Sequence, residues 1–301
     1  EHIPYVTFTA ESEQIFNMNS SYFSLGENEY FEYSVGGGEW TRFTTTVENI
    51  TFGGSHGNLR LRGKSSKGTA TGYDNYSRIH FTTENSPVDC TGDIRTLIDY
   101  ENYANANTTN ARFCRLFLGN TELRTSPSLP AQSLADYCYY EMFNGCTALT
   151  TAPELPAESL ANNCYEYMFS DCTALTTAPE LRAATLAESC CLEMFSGCSK
   201  LTTAPALPAQ SLAKSCYQGM FKNCTSLTTA PTLPAGILAE YCYQEMFSGC
   251  SALSSVTMLA FDVSADMCLL SWLYEAGTSV QESQKPTLYL YPSVYYEYVD
   301  N

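Results

Sequence analysis

The 301-residue sequence is poor in basic residues and contains no long apolar run. Lysine and arginine total 15 against 32 acidic residues, which gives a net charge of −17 at pH 7. Because such a charge repels phosphate backbones and anionic lipid, we do not expect nucleic acid as a ligand. No stretch approaches the roughly 20 consecutive apolar residues that a membrane-spanning helix needs, so we expect no transmembrane segment.

Histidine is also scarce, and its three copies, His2, His56 and His80, all lie in the first third of the chain. A cysteine nucleophile usually needs a neighbouring base, so the cysteines further along the chain lack a partner for catalysis. The sequence has no phosphate-binding loop, dinucleotide fingerprint or metalloprotease helix motif. We therefore expect neither an enzyme nor a bound cofactor or metal.

What the sequence has in abundance is repetition. The pattern C-x3-M-F-x2-C-x2-L-T-T-A-P-x-L-P-A-x2-L-A is written five times, and the fifth copy decays after Cys250. Its methionine recurs every 26 residues, at Met142, Met168, Met194, Met220 and Met246. Fainter copies flank the array at Leu116-Phe117 and Trp272-Leu273. Self-similarity at such a period indicates a solenoid, in which each unit buries its apolar face by stacking on its neighbours.

The first 90 residues predict β-structure instead. Apolar and polar residues alternate in Tyr5–Thr9, aromatic residues dominate Tyr30–Val35, and glycine-rich turns separate such runs. We predict a sandwich-like β-domain over residues 1–90 and a repeat domain over residues 91–301, with degenerate capping turns at both ends. The tyrosine-rich stretch Thr287–Val299 fits either an end cap or a separate contact strand.

Each repeat unit carries one stretch with helical spacing and one that fits a strand. The apolar residues of Ser133–Phe143 form a single stripe, with Ser133 placed to cap the start and Gly145 to follow the end. The stretch Leu149–Leu155 fits a short strand that Pro153 limits. Since strands stack more closely than helices, we predict an α/β solenoid of about seven 26-residue turns, curved with its strands on the concave side.

The spaced motif Met-Phe-x-x-Cys-x-x-Leu-x-x-Ala-Pro-x-Leu-Pro resembles the BspA-like leucine-rich repeat of bacterial surface proteins. The resemblance covers residues 116–275, and the segment Phe31–Trp40 is similar to segments that precede such arrays. It implies an α/β leucine-rich-repeat solenoid in an extracellular or surface-attached protein with an adhesion role, whose leader is absent from this sequence. The array departs from the family's β-branched strand residue at Ala152, Ala178, Ala204 and Ala230.

Ten of the fourteen cysteines occupy two repeat positions, eight residues apart within a unit. Packing in an apolar interior explains such columns, and disulfides, metal binding and catalysis are the alternatives. Cys191 replaces a tyrosine of the other units and is the thiol that we expect to react if it is exposed. The predicted core ladder comprises Cys138, Met142, Phe143, Cys146, Cys164, Met168, Phe169, Cys172, Cys190, Met194, Phe195, Cys198, Cys216, Met220, Phe221, Cys224, Cys242, Met246, Phe247 and Cys250.

Paired threonines recur on or beside the predicted strand face. Threonine suits β-structure and pairs across strands, but a ladder of hydroxyls can also present a recognition surface. The binding hypothesis names Thr150, Thr151, Thr176, Thr177, Thr202, Thr203, Thr228 and Thr229. Glu154 and Glu180 stand one unit apart, and we expect them on a solvated face, since glycoside hydrolysis needs two carboxylates across a cleft.

The N-terminal region offers two further candidate sites. Arg60, Arg62 and Lys64 alternate along a predicted strand, either as a solvent-facing stripe or as a docking patch for anionic glycans. The aromatic residues expected in the core, or alternatively in a sugar-stacking platform, are Tyr22, Phe23, Tyr33 and Trp40.

These observations lead to two hypotheses about function. The first is a monomeric, non-enzymatic bacterial surface or secreted protein that recognises a protein, or a glycan, along the repeat face. The alternative is a carbohydrate-binding protein that uses the β-domain, with the repeats as scaffold or spacer.

Overall fold

The computed structural model describes residues 3–280, 287–290 and 294, and its regular structure consists mainly of strands. Residues 3–280 contain no α-helix and three short 3-10 helices, at Gly54–His56, Ile94–Leu97 and Tyr103–Asn105. The strands are β1 (Val6–Ala10), β2 (Gln14–Ser21), β3 (Tyr30–Val35), β4 (Thr41–Phe43), β5 (Val47–Phe52), β6 (Leu59–Lys64), β7 (Tyr76–Phe81), β8 (Val88–Thr91), β9 (Leu123–Thr125), β10 (Ser255–Thr257) and β11 (Thr287–Tyr289).

Two sheets make up the N-terminal region. One has the strand order β4-β3-β6-β1-β8-β9, and the other has the order β5-β2-β7. Alternate side chains of β1 point into the core, where the Phe8 ring contacts Phe16 of β2 and Phe81 of β7 at centroid distances of 6.0 and 5.4 Å. The expected sandwich agrees with the structure in part, because two sheets face each other but the larger one continues into the repeats through β9.

Residues 111–277 form a stack of 26-residue units, here called the repeat stack. Alternate backbone N–H groups in each unit bond to the next unit: Tyr139 N donates to the Cys164 carbonyl at 2.9 Å. The intervening N–H groups bond within the unit, three residues back, as Met142 N does to the Tyr139 carbonyl at 3.1 Å. Each unit is thus hydrogen-bonded to its neighbour and folded locally into a succession of tight turns.

The prediction of an α/β leucine-rich-repeat solenoid is wrong, because the expected helix does not form. Instead, residues 136–145 are a run of turns in which every fourth residue has left-handed backbone, with φ of 60° at Tyr137, 49° at Glu141 and 73° at Gly145. An α-helix requires negative φ throughout, so these residues interrupt it. The same three positions are left-handed in each of the five copies.

The strand expected over Leu149–Leu155 is also reduced, here to isolated parallel bridges. Described bridges join Leu155 to Leu181, and Thr177 to Thr203 and then Thr229. Pro153 has no N–H to donate, which explains why a ladder does not extend through this stretch. The described residues of the repeats therefore form no curled or closed sheet, and the concave strand face is not present.

The interior of the repeat stack consists of columns of identical side chains. All twenty residues of the predicted core ladder are at most 1% exposed. Phenylalanines from six units stack in parallel, from Phe117 to Phe247, with neighbouring centroids 5.5–5.8 Å apart. These columns join the N-terminal core through Phe8, whose ring lies 6.2 Å from Phe117, so one continuous apolar core runs through both parts.

The N-terminal sheets cover the first unit of the repeat stack. Thr69 N and Ile79 N donate to the carbonyls of Arg112 and Leu116, at 2.9 and 2.7 Å, which are the bonds that a preceding unit would otherwise make. Asn120 is buried and donates from Nδ2 to the Ile79 carbonyl at 2.7 Å. The domain boundary near residue 91 stays a prediction. Backbone hydrogen bonds and the apolar core continue across it.

At the C-terminal end, β11 pairs in parallel with β10, and Val294 is buried. Residues 291–293 and 295–299 of the tyrosine-rich stretch lie outside the described residues, so its interpretation as a cap or contact strand stays a prediction. No helix among the described residues is long and apolar enough to span a membrane.

Candidate recognition surface

The eight threonines of the binding hypothesis are all exposed on the repeat stack. They follow a buried leucine in each unit, such as Leu149 or Leu201, which anchors the segment in the core. The first threonine of a pair can bond back to the preceding unit, as Thr202 Oγ1 does to the Thr176 carbonyl at 3.4 Å. The second threonine lies in the parallel bridges from Thr177 onward. The result is a regular threonine ladder with a fixed backbone and outward-facing methyl and hydroxyl groups.

A groove runs beside the first pair of the ladder, and sequence analysis did not identify it. It consists of two adjoining cavities of about 560 and 210 Å³ that share the wall 152–156. Its lining comes from three successive units, at residues 125–132, 151–156 and 179–182, and we call it the proline groove. The recurring Ala-Pro-x-Leu-Pro segment was the signal that could have located it.

Proline determines the chemistry of this groove. Pro127, Pro130, Pro153, Pro156 and Pro179 line it and supply apolar rings without N–H donors. Hydroxyl and amide groups at the edge come from Thr151, Ser126, Ser128 and Gln132. The groove can therefore accept an extended chain with small apolar side chains and its own hydrogen-bond donors.

The carboxylates near the groove remain solvated. Glu154 and Glu180 are both exposed, and Arg182 pairs with Glu180 at 2.9 Å. The charged side chains of this lining are the two glutamates and Arg182, so the groove is weakly acidic. The structure thus places them on the solvated face expected from the sequence.

The cysteine columns lie inside the repeat stack. All fourteen cysteines are free and buried. One column bonds to backbone: Cys146 Sγ donates to the Phe117 carbonyl and Cys172 Sγ to the Phe143 carbonyl, both at 3.1 Å. Burial raises the pKa of Cys146 to about 12, which keeps this thiol protonated. Among the described residues, no group of three histidine, cysteine or acidic side chains has the geometry to hold a metal ion.

Cys191 is buried as well, at 1% exposure. Its hydrogen bond with Cys190 and its burial raise the pKa of Cys191 well above the usual value. Cys191 was expected to react only if exposed, so we do not expect it to react in the folded protein.

The basic stripe on β6 is held by aromatic rings and carboxylates. The Arg62 guanidinium lies over the rings of Trp40 and Tyr100, at 3.9 and 4.0 Å, and pairs with Glu32 at 2.8 Å. Lys64 pairs with Glu101 at 2.5 Å. Arg62 and Lys64 therefore interact with aromatic rings and carboxylates of the protein itself, on the surface of the sheet.

The four aromatic residues named from the sequence do not form one platform. Phe23 is buried, whereas Tyr22 is 89% exposed. Tyr33 contacts the ring of Phe43 at 6.1 Å, and Trp40 contacts Tyr5 at 5.8 Å. The sugar-stacking alternative therefore lacks the shared surface that it needs.

Searches with this chain against protein-family models, curated proteins and solved structures returned no significant match.

Proposed function

We propose that the protein is a non-enzymatic recognition protein, displayed outside a bacterial cell, that binds an extended segment of a partner protein. The segment occupies the proline groove and continues along the threonine ladder. The observation that carries this proposal is the continuity of the groove over three units, with Thr151 in its wall. The resemblance of the repeat motif to bacterial surface proteins supports a location outside the bacterial cell.

The groove suits a polypeptide because its elements repeat at the spacing of the units. Pro130 and Pro156, one unit apart and partly exposed, offer successive apolar contacts along its length. Thr151 and Ser128 offer hydroxyls at its edge, and Glu154 and Glu180 favour a neutral or basic segment. Many weak contacts along a preformed surface add up to useful affinity, because little ordering of the protein is needed on binding.

Charge substitution on the ladder tests this proposal. Full-length protein is incubated with bacterial and host surface extracts, and retained proteins are identified by mass spectrometry. The variant carries glutamate at Thr151, Thr176 and Thr202. A matched control carries glutamate at Ala184, Gln210 and Ser211, which are exposed but lie outside the ladder and groove.

We expect the partner to be retained by the wild type and the control and lost by the ladder variant. All three proteins should unfold at similar temperatures, because every substituted residue is exposed. Retention of the same proteins by the ladder variant would exclude this surface as the binding site.

A further inference from the structure

A second cleft lies where the N-terminal sheets meet the repeat stack. Its volume is about 770 Å³, and its walls are residues 28–29, the turn 64–67, the asparagine-rich loop 102–110 and Arg112. Backbone bonds join these walls: Ser65 N donates to the Ile98 carbonyl and Thr69 N to the Arg112 carbonyl, both at 2.9 Å. The cleft is therefore preformed, and its volume is within the usual range of about 300–1,000 Å³ for small-molecule sites.

Asparagine side chains dominate the lining of this cleft. They are Asn28, Asn102, Asn105, Asn107 and Asn110. Asn105 Nδ2 donates to Asn102 Oδ1 at 2.8 Å, and Asn107 Oδ1 accepts from Thr109 Oγ1 at 2.7 Å. These bonds orient the amides and leave the Nδ2 groups of Asn102 and Asn107 and the Oδ1 of Asn105 without a partner among the described residues. An amide array of this kind both donates and accepts, as sugar hydroxyls do.

The charge of the cleft differs from that of the whole chain. Its charged lining residues are three basic side chains, Lys64, Lys67 and Arg112, and two acidic ones, Glu29 and Asp99, in a protein of net charge −17. Lys64 is neutralised by Glu101 at 2.5 Å and Asp99 at 3.5 Å.

The two remaining cations have capacity for a ligand. Lys67 forms no ion pair within the described part of the chain. Arg112 uses Nε for the Asp136 carbonyl at 2.8 Å and Nη1 for the Asn110 carbonyl at 3.3 Å, which fixes the guanidinium while its Nη2 has no described partner. Glu29 is held by Ser66 Oγ at 2.6 Å and by Gly26 N at 2.7 Å, and its charge also interacts with Lys67.

We propose that this cleft binds a short acidic oligosaccharide. Sugar hydroxyls pair with the asparagine amides, and a sugar carboxylate pairs with Lys67 and Arg112. Ile98 and Ala106 provide a small apolar patch for one sugar face. This site is separate from the proline groove, and neither proposal depends on the other.

Calorimetric titration of the full chain with galacturonic acid tetrasaccharide tests the site, with hyaluronan tetrasaccharide and sialyl-lactose as further acidic probes and the uncharged maltotetraose for comparison. Lys67→Gln removes the cation. Asn107→Asp keeps the Oδ1 that Thr109 uses but removes the amide donor and adds a negative charge. The matched controls are Lys214→Gln, at an exposed ion pair with Glu240, and Asn162→Asp, whose exposed Oδ1 accepts from Glu188 N at 3.2 Å.

We expect the acidic tetrasaccharide to bind, and each cleft variant to weaken binding at least tenfold while the controls bind as the wild type does. Raising the salt concentration should weaken binding further, because the contact with Lys67 and Arg112 is electrostatic. Absence of binding to galacturonate, hyaluronan and sialyl-lactose probes alike would overturn the proposal. Equal affinity for maltotetraose, or equal loss in the control variants, would overturn it as well.

Discussion

The rings of Phe143 and Phe169 lie parallel, with 5.6 Å between their centroids and an interplanar angle of 3°. Both residues are fully buried and occupy the same position in successive units. A side chain in this column contacts equivalent rings on both sides, so removing one ring opens a cavity between two units. The column therefore links the stability of each unit to that of its neighbours.

Replacing Phe169 by alanine should destabilise the protein by about 3–5 kcal/mol, the usual cost of deleting a buried phenylalanine. Phe169→Leu should cost less because it fills most of the space. Urea unfolding followed by circular dichroism measures both variants. A loss below about 1 kcal/mol for the alanine variant would show that the column contributes little.

The sequence was sufficient to predict the period and the interior of the repeat stack. Met142 and its equivalents recur without any insertion, and apolar residues at the same register must meet if the units stack. Burial of the twenty ladder residues follows from these two facts alone. The N-terminal strands were partly visible in the sequence for the same reason, since alternation in β1 reflects one buried face.

The local backbone was mispredicted because two periods resemble each other over a short stretch. Apolar pairs such as Cys138-Tyr139 and Met142-Phe143 recur every four residues, whereas an α-helix has about 3.6 residues per turn. Across ten residues the two patterns drift apart by only about 100°, which is within the width of one apolar stripe on a helix. The left-handed residues Tyr137 and Glu141 decide in favour of four-residue turns, and neither residue type signals left-handed backbone by itself.

The packing of the N-terminal sheets on the first unit could not be predicted from local patterns. It depends on bonds such as Ile79 N to the Leu116 carbonyl, between residues far apart in sequence. The position of the asparagine-rich loop against Lys67 and Arg112 depends on the same packing. The proline groove likewise depends on the distance between adjacent units.

Asp171 and Gly197 form a complementary pair one unit apart. Gly197 has φ of 75°, and a methyl group there would overlap the Asp171 carboxylate. Gly197→Ala should therefore cost about 1–3 kcal/mol. Adding Asp171→Gly should recover part of this loss, because it removes the overlap but leaves the backbone strain at residue 197. Gly72→Ala is the control, since no atom lies within 4 Å of the added methyl. Equal losses in single and double variants would refute the pairing.

The fourteen buried thiols should be protected from reagents in the folded protein. Burial raises the pKa of Cys146 and of Cys198 to about 12, and thiolates are the reactive form. We expect no titration by a disulfide reagent at pH 8 in native conditions and full titration after unfolding. Cys268, in the last unit, should react first as that end opens. Since all the cysteines are free, a reductant should leave the melting temperature unchanged. Rapid modification of Cys191 in the native protein would contradict this prediction.

Glu166 should make the protein less stable as pH rises. Burial raises the pKa of Glu166 above 4.5, Asn163 opposes this through a hydrogen bond, and the charges of Glu141 and Glu193 add to the increase. A carboxyl group whose folded pKa exceeds its unfolded pKa binds more protons in the folded state, so stability is greatest below the unfolded pKa and falls as pH passes through the folded one.

Glu166→Gln removes this charge and keeps an oxygen that can accept from Asn163. At pH 7 the variant should be more stable than the wild type by up to about 1 kcal/mol, a figure limited by the partial exposure of the side chain. The difference should vanish below about pH 4, where both side chains are neutral. Urea unfolding at pH 4, 5.5 and 7 measures it, and Glu158→Gln, at an exposed site, is the matched control. A variant less stable than the wild type at pH 7 would mean that the hydrogen bond to the charged carboxylate outweighs its burial.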